Sequence, residues 1–133
     1  MPTMQQSTMK KLTPVIMVDA IEPCLPFWNR FGFTKVAEVP EGDRLGFVIL
    51  VKDGVEVMYQ THESVAKDAA GLVPRAHGHG AALFIEVSDI ESIAQAIRGL
   101  EIVVPRRQTF YGMDEIGVRE PGGHVVMFAQ PTG

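Results

Sequence analysis

Cysteine occurs once in these 133 residues, at Cys24, so no intrachain disulfide can form. A lone thiol agrees with a reducing, cytoplasmic setting. Its expected place is the apolar core, where free cysteine commonly sits. Positive charge is also scarce. Twelve Lys plus Arg stand against sixteen Asp plus Glu, a formal net charge of −4, with no basic block beyond Lys10-Lys11 and Arg106-Arg107. Duplex binding needs a clustered cationic face, so nucleic acid is not an expected partner. No apolar run approaches the roughly 20 residues of a membrane helix, and the polar start Met1–Lys11 lacks the apolar core of an export signal. A glycine-rich phosphate loop, a Ser-His-Asp order and a nucleophile elbow are all missing.

What is present is an ordinary globular composition, 46% apolar and 21% charged, at a length that suits a single domain over residues 1–133. It also contains an internal repeat. A shift of 69 residues lays Ile16-Met17-Val18 on Ile85-Glu86-Val87, Gly54 on Gly123, and Val57-Met58-Tyr59 on Val126-Met127-Phe128. Both ends of each half agree on one offset, which defines repeats at about 12–61 and 81–130, with residues 1–10 as a flexible tail.

Element order repeats as well. Leu12–Val18 and Ala81–Val87 are β-rich runs, each followed by a helical pattern. In the second, Ile90, Ile93, Ala94 and Ile97 form one stripe, Ser88 with Glu91 offers a capping box, and Gly99 suits the C-terminal cap. In the first, Ile21, Cys24, Leu25, Trp28 and Phe31 form the stripe. Pro23 and Pro26 fit only in a first turn, so that helix should start near Glu22.

Three strands should follow each helix. Thr34–Val39, Arg44–Val51 and Val55–Thr61 fill the first half, turning at Glu41-Gly42-Asp43 and Asp53-Gly54. Glu101–Pro105, Glu115–Arg119 and His124–Gln130 fill the second, turning at Glu120-Pro121-Gly122-Gly123. Between the halves, Ser64–Ala70 reads as a short helix and the rest, to Gly80, as a Gly-rich linker. The expected fold is α+β: two β-α-β-β-β units in a curved, mostly antiparallel open sheet with helices outside and a concave trough on the other face. Alternation sends Pro14, Ile16, Val18, Ile116 and Val118 toward the helices. It leaves Thr13, Val15, Met17, Ala82, Phe84, Glu86, Glu115, Gly117 and Arg119 on the trough side.

Two segments carry a resemblance: Val18 to Trp28 followed by Phe31-Gly32-Phe33, and Phe110-Tyr111-Gly112 followed by Glu120-Pro121-Gly122-Gly123-His124. Together they resemble the vicinal-oxygen-chelate proteins, the superfamily of glyoxalases, bleomycin-resistance proteins and extradiol dioxygenases, over about Leu12 to Gln130. Enzymes of that family hold a divalent metal with four side chains. The resemblance puts those positions at Thr13, Met58, Ala82 and Met127, none of which is a His, Glu or Gln. It thus implies a member without metal ligands or cofactor, whose trough binds an organic molecule, and a homodimer.

Candidate ligand-binding residues are Met17, Trp28, Met58, Phe84 and Met127 for an apolar, polarizable lining. Glu86 and Arg119 join them because inward charges must pair, hydrate or meet a ligand. Tyr111 and Glu115 complete the set on a pocket-edge loop; as a catalytic pair they would need a further activating group. Each apolar candidate has core filling as its alternative. His77 and His79 suggest a metal pair but sit in a Gly-rich stretch without further donors. His62 and His124 show no supporting group in the sequence that would make either a site residue, His124 lying at a turn, and Arg106-Arg107 reads as an exposed pair at a strand end. Three functions stay open: sequestration or sensing of a small organic compound such as an antibiotic or toxic metabolite, a lyase-, isomerase- or dioxygenase-like enzyme with atypical or no metal, and a structural partner domain.

Overall fold

The computed structural model describes residues 11–68 and 82–133. The sequence reading of residues 1–10 as a tail, of 69–80 as a helix end and linker, and of His77 and His79 lies outside the described residues.

The described chain forms β1 (Val15–Val18), a 3₁₀ turn (Glu22–Cys24), α1 (Leu25–Asn29), β2 (Thr34–Glu41), β3 (Arg44–Lys52), β4 (Val55–Thr61) and α2 (His62–Asp68). The second half continues with β5 (Leu83–Glu86), α3 (Ile90–Ala96), β6 (Ile102–Gln108), β7 (Met113–Arg119) and β8 (Val125–Pro131). The fold is α+β, as expected. Its strands form two four-stranded sheets, ordered β1-β4-β3-β2 (sheet A) and β5-β8-β7-β6 (sheet B), rather than one. In each, the outer pair β1·β4 or β5·β8 is parallel and the other pairs are antiparallel.

Local chemistry explains the boundaries. β1 begins after Pro14, which has no N–H to offer and only accepts, from Met58 N at 3.0 Å. The first helix is split in two, and each piece takes one of its prolines in its first turn, Pro23 in the 3₁₀ turn and Pro26 in α1. α3 starts one residue later than a Ser88 cap would place it. The cap is Asp89, whose Oδ1 accepts from Glu91 N (3.1 Å) and Ser92 N (3.3 Å), while the Ser88 carbonyl accepts from Gln130 Nε2. Asp53 and Gly54 both have positive φ, 51° and 78°, the conformation of a two-residue hairpin turn between β3 and β4.

Alternation then builds the core. Ile16, Val18, Val48, Leu50, Val57 and Tyr59 from sheet A join Ile116, Val118, Val126 and Phe128 from sheet B, with Ile21, Cys24, Phe27, Trp28, Ile90 and Ile97 from the helical segments, in one buried cluster. Phe31 beyond α1 packs on Phe128 of β8 with ring centroids 4.8 Å apart, and Arg30 Nη1 donates to the carbonyls of Ala96 and Arg98 at the end of α3. Both sheets therefore turn their helix-bearing faces toward one shared core, and their other faces point away from it.

Candidate functional site

The face of sheet A turned from the core carries Val15 beside Met58 and Ile49, and Met17 beside Gln60 and Phe47. Five of these six side chains are half-buried and Val15 is exposed, so the surface is apolar. On sheet B the same parallel register sets Phe84 beside Met127, then Gly117 and Val104. A Cβ at Gly117 would lie 2.5 Å from Met127 Sδ and 3.0 Å from Val104 Cβ, so the bare glycine is what lets the Met127 thioether cross the strand.

The next row of sheet B is polar: Glu86, Ala129, Glu115, Arg107. Glu115 leaves 1% of its side-chain surface exposed. Its Oε1 accepts from Arg107 Nε (3.0 Å), Arg107 Nη2 (2.8 Å) and the Tyr111 hydroxyl (2.7 Å); its Oε2 is buried with no hydrogen-bond partner. Burial by itself would raise the carboxyl pKa, but the phenol and guanidinium outweigh it and hold the group below the usual carboxylate range. Tyr111 and Glu115 are thus brought together. Arg107 joins them, although the sequence had shown only an exposed pair. Arg106, its neighbour, projects to the opposite face and binds Asp114 and Glu91.

Other candidates lie elsewhere. Glu86 and Arg119 both take the face that alternation assigns, yet they do not meet. Arg119 pairs with Glu101 Oε2 (2.8 Å) and donates to the Gly123 carbonyl, and Glu86 stays exposed. Met17 and Met58 belong to sheet A, whereas Phe84, Glu86, Glu115, Arg119 and Met127 belong to sheet B. Trp28 is on neither outer face. It is buried in the core and reaches only the wall of a groove of about 400 Å³ that Thr13, Phe33, Glu56, Ala82 and Phe84 also line. His62 pairs with Asp19.

A buried polar link, which the sequence did not suggest, joins the two halves. Trp28 Nε1 donates to the Tyr59 hydroxyl (2.8 Å), and that hydroxyl donates to Glu120 Oε2 (2.6 Å). Glu120 Oε1 accepts from His124 N and lies 2.6 Å from His124 Nδ1. Desolvation of Glu120 opposes ionisation, yet His124 and Tyr59 overcome it and keep the carboxyl below its ordinary range. Burial, then the Glu120 charge, pushes the Cys24 thiol up to about 12 and raises the Tyr59 phenol as well. The turn holding Glu120 also packs tightly: a Cβ on Gly122 would lie 2.6 Å from Val18 Cγ1. The only signal in the sequence was an acidic residue opening a turn, Glu120-Pro121-Gly122-Gly123.

The model of the Glyoxalase/Bleomycin resistance protein/Dioxygenase superfamily matches residues 11–128, nearly the whole chain. The chain belongs to that superfamily. Solved structures share its fold at low identity. A glyoxalase/bleomycin resistance protein/dioxygenase family enzyme from Burkholderia phytofirmans PsJN is 15% identical, with 90% of this chain and 96% of that one covered and a TM-score of 0.74. TioX from Micromonospora sp. ML1 is 21% identical (92% and 98% covered, TM-score 0.71), and a lactoylglutathione lyase from Agrobacterium tumefaciens is 14% identical (94% and 96%, TM-score 0.69). Among curated proteins none matches the chain.

The side chains of this superfamily member at those four positions do not fit the divalent metal that enzymes of the family hold there. Thr13 Oγ1 donates to Glu56 Oε2 at 2.9 Å, Ala82 has no donor atom, and Met58 and Met127 offer only thioethers. Hard cations take oxygen or imidazole donors. Among the described residues no three His, Cys, Asp or Glu side chains cluster to hold a metal ion, and no helix is long and apolar enough to cross a membrane.

Proposed function

We propose that this superfamily member binds a small organic compound without a metal, sequestering or sensing it, in a pocket that two copies of the chain complete. The observation that carries this reading is the pair of outward faces. Where the family places metal ligands they hold Met58 and Met127, flanked by Val15, Met17 and Phe84 on apolar ground, with a polar cluster around Glu115. Polarizable, adaptable thioethers suit an aromatic or amphiphilic guest. A homodimer follows because exposed apolar side chains such as Val15 and Phe84 gain by cover. An antibiotic or a toxic metabolite fits this chemistry. Acid–base catalysis fits less well. A general base works best near the operating pH, and Glu115 is held below even the ordinary carboxylate range.

Native mass spectrometry of the full chain, purified from cells without additives, tests this reading. A dimer that carries or takes up an organic mass released on denaturation is expected. A monomer that neither retains nor takes up an organic compound contradicts it.

A further inference from the structure

Glu115 Oε2 is an ionised oxygen removed from water and left without a donor, while three hydrogen bonds on Oε1 fix the carboxylate in place. Buried polar atoms are almost always paired, because desolvation without a partner is costly. No described side chain or backbone N–H of sheet B supplies the missing donor. A held, sealed and unpaired acceptor is what a site looks like when its ligand brings the N–H.

The neighbours define that ligand. Glu86 and Glu115 share one row with only Ala129 between them, two strands or roughly 10 Å apart at the backbone. Among the described residues Arg107 is the only cation paired with Glu115 and none is paired with Glu86, so the row itself carries two carboxylates against one guanidinium. The β6–β7 loop adds an aromatic pair. Phe110 and Tyr111 meet edge to face with centroids 5.1 Å apart, Phe110 fully exposed and Tyr111 half-exposed. Ring faces attract cations. The adjoining row, Phe84 and Met127, gives apolar support.

We propose, resting on the pocket reading above, that sheet B takes an organic monocation bearing N–H donors, an amidinium or protonated amine attached to an apolar or aromatic body. Its N–H bonds to Glu115 Oε2, its charge is shared with Glu86, and its body lies on Met127 and Phe84 beneath Tyr111 and Phe110. Tyr111, about half exposed, is the side chain that swings aside on entry, while Arg107 keeps its two bonds to Oε1 and holds the carboxylate in place.

Titration of the full chain with benzamidine, its neutral counterpart benzamide and the anion benzoate, followed in amide NMR spectra, tests the assignment. Benzamidine should bind saturably with shifts at Glu115, Tyr111 and Ala129, benzamide at least roughly tenfold more weakly, and benzoate not at all. Glu115→Gln should erase the preference for the cation. Should that variant not fold, Glu86→Gln, at an exposed position, should weaken benzamidine several-fold and leave benzamide unchanged. Equal binding of benzamidine and benzamide overturns the inference alone and leaves the pocket standing. Binding of none of the three overturns the inference, and the pocket reading then stands or falls on the native mass spectrum.

Discussion

In the first half Tyr59 lies beside Ile16 in parallel register; 69 residues later Phe128 lies beside Ile85 in the same way. Val15 and Met58 correspond likewise to Phe84 and Met127, Met17 and Gln60 to Glu86 and Ala129, and the buried Trp28 to the buried Ile97. The backbone thus repeats while the chemistry divides. The first half turns an indole N–H and a phenol inward, where Trp28 donates to Tyr59 and Tyr59 to Glu120 of the second, and shows a mainly apolar outer face around Val15, Met17 and Met58. The second half is apolar at the matching inner positions and carries charge outside, at Glu86, Glu115 and Arg107. The duplicated units are thus complementary, one supplying side chains of the anchor between the halves and the other an outward polar row.

The largest effect expected is at the anchor. Glu120→Ala should cost about 3–5 kcal/mol in urea unfolding, because it leaves the Tyr59 hydroxyl proton without its acceptor in a dry core and removes the carboxylate bound at His124. Tyr59→Phe should cost about 1–3 kcal/mol. The mirror change Phe128→Tyr tests the asymmetry itself: a hydroxyl added on sheet B has no carboxylate waiting and should also destabilise. A neutral or stabilised Phe128→Tyr would mean the halves are not differentiated in this way.

Glycine contacts come next. Gly122→Ala forces the turn off Val18 and Gly117→Ala displaces Met127, each by an estimated 1–3 kcal/mol. Ligand binding should suffer in Gly117→Ala beyond its loss of stability, and should scale with stability alone in Gly122→Ala. Equal behaviour would merge the two roles.

Acid should separate the halves as well. Glu120 ionises more easily folded than unfolded, so its stabilisation is present above the unfolded carboxyl value of roughly 4.3 and is lost as pH falls through the lower folded value. Melting temperatures of Glu120→Gln should therefore fall less steeply below pH 5 than those of the parent chain. The Cys24 thiol, pushed up to about 12, should resist thiol reagents at pH 8 until the chain unfolds. Smallest of all, Arg119→Gln breaks an exposed pair with Glu101 and should leave the melting temperature unchanged within error.

The repeat, the strands, both inner stripes and the outward faces were legible because each follows from periodicity along a short stretch of chain. The link through Glu120 was not. Its partner Tyr59 is 61 residues away, and only the packing of one half on the other brings them together. Arg107 was hidden by strand irregularity. β6 shifts register on either side of Val104, next to Pro105, whose ring cannot donate to the ladder. Counting along the strand therefore does not reveal which arginine of the pair faces Glu115. Trp28 was assigned two roles, stripe and lining. The core claims it, since its N–H finds a buried hydroxyl.

The proposed function requires that Thr13, Met58, Ala82 and Met127 hold no divalent metal and that side chains alone bind the ligand. Calorimetric titration of chelator-treated full chain with Mn²⁺, Fe²⁺, Ni²⁺ and Zn²⁺, backed by elemental analysis, tests it directly. The account predicts no saturable uptake at one ion per chain, and an unchanged result after Met58→Ala or Met127→Ala. One equivalent of any of these ions, held tightly, would contradict it.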